Sequence, residues 1–431
     1  MIQAETIPNI KLCDSSIDHE ETKWTINNVH DPAIIKDGEW YYVFSTDAQV
    51  GGSFKGGIQI RKSKDLILWQ WVGRAFSELP KPAVDWTGAN GFWAPEIVKI
   101  ADTYFMYYSA SQFGKNQSFI GVATSKNIEG PWLDQGEVFK TKHGVDEPNA
   151  IDANITFDRD GHPWMVYGSF FGGIYLNKIN PKIGKLLNYG KGKLIAKRHH
   201  NVEAAIEGPY IIYNPEFDYF YLFVSYDSLF SNYNIRVARS KTIDGPYLDF
   251  HGQEMTDTSL PPNDVGLKIL GGYTFNDGEG WVAPGHNSVL KDGEDYYVVH
   301  HMRAEKNKKY SYLHIRKVVW TRAGWPLVSP ERFAGEKQRI IKSEEILGEW
   351  AYLFVDKDQN EQNVARYLTI APKGENWKRL TNEQFLLSID DRNQWVECTI
   401  MPAWDWARKK ETTVFMGMDP NGQVFIGKKA K

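Results

Sequence analysis

The sequence predicts an all-β protein: a five-bladed β-propeller followed by a small C-terminal β-barrel or β-sandwich domain. The first observation is composition, because the 431 residues include 16 Trp, 22 Tyr and 22 Phe, and aromatic side chains favour strands. The second is that 37 Gly and 20 Pro are spread along the chain, as tight turns between many short strands require. The third is a two-hairpin repeat in the first three quarters of the chain.

Each repeat opens with a short apolar strand, a turn and a strand rich in tyrosine. Asp-Gly pairs make three of these turns, at Asp37, Asp160 and Asp292, and this dipeptide is a strong hairpin signal. A second hairpin follows, so that each repeat supplies the four antiparallel strands of a propeller blade. The five repeats begin at His30, Trp93, Asn149, Glu207 and Gly285.

The repeat ends after residues 316–320, and from about residue 340 the chain reads as further short strands. We therefore predict two domains, a catalytic propeller over residues 1–335 and an all-β domain over residues 336–431. The second domain contains no motif from which a chemical role can be inferred.

Composition argues against several classes of partner. The formal net charge of −4 provides no basic field for nucleic acid or anionic lipid, and no apolar stretch approaches the roughly 18 residues that span a bilayer. The two cysteines, Cys13 and Cys398, indicate neither a disulfide framework nor a cysteine-rich zinc site. We expect a monomer that binds neither nucleic acid nor membrane.

The starts of the five repeats are where functional residues should meet. In a propeller, the innermost strand of every blade begins near one end of the central channel, so residues at these starts converge. Two carboxylates on opposite sides of a sugar can supply the acid and the base of glycosidic hydrolysis, and a third raises the pKa of the acid. The residues brought together are Asp31, residues 93–96, Asp152, Glu207 and His286.

Taken singly, these residues also have structural interpretations. Asp31 could cap a strand, Asp152 could form an Asx turn, and Glu207 could belong to a surface turn. Their joint placement at equivalent positions of the repeat favours function. His300 and His301 are interpreted as strand residues.

Five tripeptides in order, one per repeat, make the chain resemble glycoside hydrolase family 43 over roughly residues 25–330. Members are five-bladed propeller enzymes that act on arabinan and xylan. Within the family the chain is most similar to the endo-α-1,5-L-arabinanases, by residues 167–174 and 285–288, and a longer subgroup of these has a C-terminal β-domain. The five tripeptides are His30-Asp31-Pro32, Trp93-Ala94-Pro95, Ala150-Ile151-Asp152, Glu207-Gly208-Pro209 and Gly285-His286-Asn287.

The resemblance implies a role for each residue. Asp31 would be the general base that activates water, Glu207 the general acid, and Asp152 the residue that raises the pKa of Glu207 and orients it. The family inverts configuration, for which base and acid stand roughly 6.5–9.5 Å apart. His286 would be the protein ligand of a calcium ion in the channel, with water completing the shell. The implied sugar contacts are Trp93, Phe113, Asn149 and Ser169.

The chain departs from the family pattern at two positions. Ala153 stands where the family usually has proline, and Phe171 where the arabinanases have tryptophan, which would alter a subsite. Glu203 is a second candidate for the acid, but the Glu-Gly-Pro context favours Glu207.

The sequence leaves three functions open. The leading hypothesis is an inverting endo-arabinanase; an exo-acting α-L-arabinofuranosidase or β-xylosidase on the same scaffold is the first alternative, and a non-catalytic carbohydrate-binding propeller the second. The insertion at residues 251–280 would either wall off one end of the cleft or build distal subsites.

The N-terminal segment does not decide the location of the protein. It has neither a basic n-region nor an apolar h-region, so the protein is either cytoplasmic or has lost a signal peptide that a Met replaces. Cleavage of a polymer favours the secreted alternative, whereas short oligosaccharide substrates would permit a cytoplasmic enzyme.

Overall fold

A computed structural model describes residues 7–276, 278–359, 362–372, 374, 376–389 and 395–430. It confirms the predicted all-β architecture, because five sheets follow one another along the chain as propeller blades and a further sheet forms the C-terminal domain. Two short α-helices are present, α1 (Lys81–Thr87) between the first two blades and α2 (Ser343–Ile346) before the last sheet. Short 3₁₀ segments lie at Ser15–Ile17, Glu21–Lys23, His200–Val202 and Glu305–Asn307.

Blades I and II are regular four-stranded antiparallel sheets in chain order. In both, the turn-and-tyrosine hairpin of the sequence forms the two inner strands. Blade I consists of β1 (Ala33–Asp37), β2 (Trp40–Ser45), β3 (Gln59–Ser63) and β4 (Gln70–Arg74); blade II consists of β5 (Trp93–Ile100), β6 (Thr103–Ala110), β7 (Ser118–Ser125) and β8 (Leu133–Thr141).

Blades III to V keep the same order, with additional strands at the outer edge of blade III and beside the inner strand β19 of blade V. In blade III two short strands pair with the third strand. Its strands are β9 (Asn154–Phe157), β10 (Pro163–Tyr167), β11 (Ile174–Asn180), β12 (Lys185–Leu186) and β13 (Lys193–Ala196). Blade IV comprises β14 (Ile206–Asn214), β15 (Tyr219–Tyr226), β16 (Asn234–Ser240) and β17 (Leu267–Leu270), and blade V comprises β18 (Gly272–Thr274), β19 (Trp281–Asp292), β20 (Asp295–Ala304), β21 (Ser311–Trp320) and β22 (Pro326–Val328).

Hydrophobic clusters fill the space between consecutive blades and close the ring. Each cluster takes side chains from two neighbouring blades, including the pair formed by blade V and blade I. The N-terminal segment adds to this closure, because Leu313 N–H donates to the Ile26 carbonyl oxygen over 2.8 Å. One pair of residues from each cluster, with the two blades that it joins, is Phe44 and Met106 (I and II), Tyr107 and Met165 (II and III), Leu176 and Leu222 (III and IV), Val237 and Val298 (IV and V), and Val299 and Val43 (V and I).

The C-terminal domain is built on one seven-stranded antiparallel sheet in the order β25-β23-β30-β29-β28-β27-β26. An additional strand, β24, pairs in parallel with β18 and so extends blade V. The strands are β23 (Gly348–Val355), β24 (Gln362–Val364), β25 (Arg366–Ile370), β26 (Trp377–Arg379), β27 (Gln384–Ser388), β28 (Trp395–Asp405), β29 (Lys410–Met418) and β30 (Val424–Lys429).

One face of this sheet packs on blades IV and V, and the other covers its own core. Leu353 and Met416 belong to the cluster that contains Val237 of blade IV and Val298 of blade V. Trp350 and other residues of the opposite face form a separate cluster within the domain. The C-terminal sheet therefore shares a hydrophobic core with the propeller.

The insertion at residues 251–280 contributes to this junction. It supplies β17 and β18, and Lys268 Nζ donates to the carbonyl oxygens of Asp356 and Gln359 over 2.9 and 2.7 Å. A cavity of about 650 Å³ lies between this part of blade IV and the C-terminal domain. None of the residues predicted for the site lines that cavity.

Candidate active site

Within the inner strand of every blade, or just before it, one residue has left-handed backbone. In each repeat this residue is the second or third of the quoted tripeptide, and its conformation turns the chain sharply where the strand enters the channel. A positive φ at a non-glycine residue is uncommon and clusters at functional sites. The five residues are Asp31 (φ 50°), Ala94 (φ 39°), Asp152 (φ 62°), Gly208 (φ 56°) and His286 (φ 44°).

Side chains of the preceding blade hold these five turns. Each turn residue donates its backbone N–H to a side chain, which for four of the five lies in, or directly after, the strand that pairs with the inner strand of the preceding blade. The acceptors are Thr46 Oγ1 for Ala94 (2.7 Å), Ser109 Oγ for Asp152 (3.0 Å), Asp152 Oδ2 for Gly208 (3.1 Å), Ser225 Oγ for His286 (2.7 Å) and His301 Nδ1 for Asp31 (3.2 Å).

Asp31 is buried in an environment that favours its ionised form. Thr46 Oγ1 donates to Asp31 Oδ2 over 2.6 Å, and His30 Nδ1 and His286 Nδ1 lie 2.7 and 3.3 Å from Asp31 Oδ1. Burial alone raises the pKa of Asp31, but the imidazoles of His30 and His286 outweigh it and hold the pKa below its ordinary value. Asp31 is therefore a carboxylate that can accept a proton.

Glu207 shows the opposite shift. Ser169 Oγ donates to Glu207 Oε2 over 2.7 Å, and Tyr233 Oη donates to Oε1 over 2.6 Å. Burial raises the pKa of Glu207 above its ordinary value, although these two hydrogen bonds lower it, and the negative charge of Asp31 adds to the rise. Glu207 is thus suited to hold a proton and give it up.

The pKa of Asp152 responds to both of the other carboxyl groups. Burial raises its pKa well above the ordinary value, and the charges of Glu207 and Asp31 raise it further. Its Oδ2 accepts the N–H of Gly208, the residue after Glu207. The charge of Glu207 therefore acts on Asp152, and Asp152 in turn holds the backbone next to Glu207.

A fourth carboxyl group, Glu96, is buried in the wall of the channel. Asn154 Nδ2 donates to Glu96 Oε1 over 3.0 Å, and Asn154 Oδ1 accepts the N–H of Ile211. Burial raises the pKa of Glu96 to about 8. Glu96 is accordingly a neutral group that links blades II, III and IV.

The surroundings of His286 fit a hydrated cation. Its Nδ1 faces Asp31 Oδ1 and, at 3.9 Å, Asp152 Oδ2, which leaves Nε2 as the nitrogen for a metal. Burial lowers the pKa of His286, and metal ligation requires a neutral imidazole. Among the described residues, both amide atoms of Asn287 and Nε2 of His301 are buried without a hydrogen-bond partner. Buried polar atoms are usually bonded to protein or to ordered water, so bound water would satisfy these three atoms.

The four residues implied as sugar contacts differ in exposure. Phe113 is 72% exposed, and its ring lies 6.0 Å from that of Phe230. Trp93 is half-buried at the start of β5. Asn149 is buried and accepts a hydrogen bond from Ser118, and Ser169 is buried against Glu207.

Several residues of the site carried no recognisable sequence signal. Thr46, Tyr233 and Arg303 do not belong to the repeated tripeptides, and their positions follow from the ring of blades. His301 lies in β20 as a strand residue, but its Nδ1 also accepts the Asp31 N–H. The structure also explains the glycine at position 285, because a Cβ there would lie 1.9 Å from the Tyr233 ring.

The rival candidate Glu203 lies outside this group. It is exposed, with left-handed backbone after the short segment His200–Val202, whereas Glu207 is buried among the other carboxyl groups. One carboxyl group with a lowered pKa and one with a raised pKa, in a single buried cluster of a propeller, are the arrangement typical of a glycosidase.

Comparison with known proteins identifies the family. The sequence model described as glycosyl hydrolases family 43 matches residues 25–326, and one described as a C-terminal lipocalin-like domain matches residues 330–427. The chain therefore belongs to glycoside hydrolase family 43.

Three relatives illustrate the similarity. An extracellular endo-α-(1→5)-L-arabinanase of Thermotoga petrophila is 32% identical over 93% of both chains, and a solved structure of the endo-1,5-α-L-arabinanase of that organism superposes with a TM-score of 0.82 at 32% identity, covering 94% of this chain and 99% of that one. Extracellular endo-α-(1→5)-L-arabinanase 2 of Bacillus subtilis is 31% identical over 100% of this chain and 97% of its own. The extracellular exo-α-(1→5)-L-arabinofuranosidase ArbA of Cellvibrio japonicus is 35% identical over 70% of this chain and 86% of its own.

Proposed function

We propose that this protein is an inverting endo-arabinanase that cleaves internal α-1,5-L-arabinofuranosidic bonds of arabinan. The observation that carries the proposal is the opposite displacement of two pKa values in one buried cluster, low for Asp31 and high for Glu207. The choice of polymer is supported by the two endo-acting relatives that align along almost the whole chain.

In this proposal the reaction is a single displacement. Asp31 takes a proton from a water molecule as the water attacks the anomeric carbon, and Glu207 gives its proton to the departing glycosidic oxygen. We propose that Asp152 raises the pKa of Glu207, since neighbouring carboxyl groups resist ionising together, and that it fixes the backbone at Gly208. Ser169 and Tyr233 orient the Glu207 carboxyl group through one hydrogen bond to each oxygen.

We further propose His286 as the protein ligand of a calcium ion. Water would fill most of the shell, because one imidazole is a poor ligand for a cation that prefers oxygen. When bound, the ion supplies positive charge beside Asp31 and Asp152. Chelation should lower the Tm and the activity of the wild-type protein, whereas His286→Ala should be insensitive to chelator; an equal response of both proteins would remove the metal from this account.

We also propose that the protein is secreted and monomeric. The three relatives above are all named extracellular, and a polymer such as arabinan is degraded outside the cell. No helix in the described part of the chain is long and apolar enough to cross a membrane.

A product time course on linear α-1,5-arabinan tests the endo mode. A spread of oligosaccharides at early times is expected, with little hydrolysis of an aryl arabinofuranoside. Arabinose alone from the outset would support the exo-acting alternative, which the Cellvibrio relative represents. Binding of arabinan without any product would indicate a carbohydrate-binding propeller.

A further inference from the structure

His30 precedes the general base in sequence and contacts it through its side chain. His30 Nδ1 lies 2.7 Å from Asp31 Oδ1, and the two side chains are only 10% and 11% exposed. The other ring nitrogen, Nε2, lies 3.0 Å from Arg303 Nη2. His30 therefore bridges an arginine and a carboxylate inside the protein.

Arg303 determines which nitrogen of His30 carries the proton. A guanidinium group is always protonated and can only donate, so His30 Nε2 must accept and its proton is on Nδ1. In that tautomer the protonated nitrogen, Nδ1, is the one that lies 2.7 Å from Asp31 Oδ1. Arg303 is itself held in place, because its Nε and Nη1 donate to the carbonyl oxygens of Leu229 and Lys308 over 2.8 and 2.7 Å.

His301 supports the ring of His30 from one side. The two rings are stacked with centroids 3.7 Å apart, and His301 Nδ1 accepts the backbone N–H of Asp31 over 3.2 Å. Ligand atoms of His30, Asp31 and His301 lie close enough together to hold a metal ion. However, Nδ1 of His30 carries a proton and Nδ1 of His301 is occupied by the Asp31 N–H, so the group fits a hydrogen-bonded frame better than a metal site.

We propose that His30, fixed in its Nδ1–H tautomer by Arg303, is a positioning residue for Asp31. It holds Oδ1 while Thr46 holds Oδ2, and so sets the direction in which the carboxylate faces the attacking water. The inference rests on the proposed role of Asp31 as general base, because it concerns the orientation of that group.

Two amide substitutions separate this role from a general packing role. In His30→Asn the amide N–H can take the place of Nδ1–H, and in His30→Gln the amide reaches the place of Nε2 instead. We expect His30→Asn to retain kcat within about tenfold. His30→Gln should lose about 100-fold in kcat with little change in KM, because a base that faces the wrong way loses part of the roughly 10²–10⁴-fold contribution of base catalysis. Equal losses in both variants, or losses that follow Tm, would overturn the proposal.

His300 provides a matched control in β20 of the neighbouring blade V. It is equally buried, its Nδ1 donates to the His301 carbonyl oxygen over 2.8 Å, and its Nε2 accepts from Arg316 Nε over 3.2 Å. It thus forms a second arginine–histidine pair, but its Nδ1 donates to a backbone carbonyl rather than to a carboxylate. His300→Gln should lower Tm without the selective loss of kcat expected for His30→Gln.

The tautomer can be measured without any substrate. In ¹⁵N-histidine NMR spectra, with the His30 signal assigned by its loss in His30→Gln, the wild-type protein should show a neutral ring protonated at Nδ1. Wild-type protonation at Nε2 would overturn this inference alone, whereas an Nδ1–H signal in a protein that does not cleave arabinan would reject only the proposed function.

Discussion

Asp31 and Glu207 occupy the same buried cluster, yet their neighbours push their pKa values in opposite directions. Imidazoles and a threonine hydroxyl surround Asp31, whereas burial and nearby negative charge dominate at Glu207. The difference arises from a few contacts, and each contact can be altered by a single substitution.

The two proposed roles can be separated with the leaving group. Asp31→Asn and Glu207→Gln should each lose about 10²–10⁴-fold in kcat on arabinan. A dinitrophenyl arabino-oligosaccharide needs no protonation to depart, so it should restore turnover by Glu207→Gln but not by Asp31→Asn. Glu203→Gln, an exposed control, should behave like the wild type. Rescue of the Asp31 variant instead would reverse the assignment.

Tyr233 should control the alkaline limb of the pH profile. Glu207 must be protonated to act, so activity is lost as pH rises through its pKa. Because the Tyr233 hydrogen bond lowers that pKa, Tyr233→Phe should move the alkaline limb of kcat to higher pH. Tyr221→Phe, which removes a hydroxyl bonded to the Gly324 carbonyl oxygen, is the control. An alkaline limb that stays in place or moves down would contradict the account.

At the level of elements, the first strands of the blades position the site. Each strand enters the channel through a left-handed residue, and its neighbours supply the hydrogen bonds that keep this conformation. The register of β19 against β20 shifts on both sides of Gly285. This irregularity brings His286 to Asp31, and it places Gly285 in close contact with the ring of Tyr233.

Gly285→Ala should damage the site through this contact. The new Cβ would lie 1.9 Å from the Tyr233 ring, and overpacking of this kind typically costs about 1–3 kcal/mol. We expect a lower Tm and, since Tyr233 holds Glu207, a lower kcat. Gly38→Ala is the control: it lies in the β1–β2 turn with open space around it and should cost about 1 kcal/mol from its positive φ alone. Loss of stability with full kcat would mean that Tyr233 does not position Glu207.

The sequence predicted these elements well because both signals are local. Aspartate–glycine turns and alternating apolar residues specify hairpins, and five repeats specify five blades, as the structure confirms. The sequence did not predict the site residues that lie outside the repeated tripeptides. Thr46, Tyr233 and Arg303 join the site through contacts between strands distant in sequence, and nothing in their immediate neighbours distinguishes them from ordinary strand and loop residues.

In the whole molecule, the C-terminal sheet and the propeller share one hydrophobic core. The sequence indicated strands after residue 340 but could not indicate which face of the new sheet would be covered. Leu353, Met416 and Val424 pack in the cluster of blades IV and V, and β24 extends blade V. We therefore expect the two parts to unfold together.

Met416→Ala tests this shared core. Met416 is fully buried, and removal of such a side chain costs about 2–5 kcal/mol. Calorimetry should show one transition at a lower temperature, with arabinan-degrading activity lost in the same transition. Leu380→Ala, on a residue 37% exposed, should change little. Two separated transitions, with activity surviving the first, would show that the domains are independent.

The Asp31–Glu207 pair is proposed to hydrolyse arabinan with inversion of configuration at the anomeric carbon. The most direct measurement is ¹H NMR of linear α-1,5-arabinan in the first minutes after the enzyme is added, which reports the anomeric configuration of the new reducing ends before mutarotation. Inversion by the Asp31–Glu207 pair should give β-anomers first, with α-anomers appearing later. Initial α-anomers, or an unchanged polymer, would contradict it.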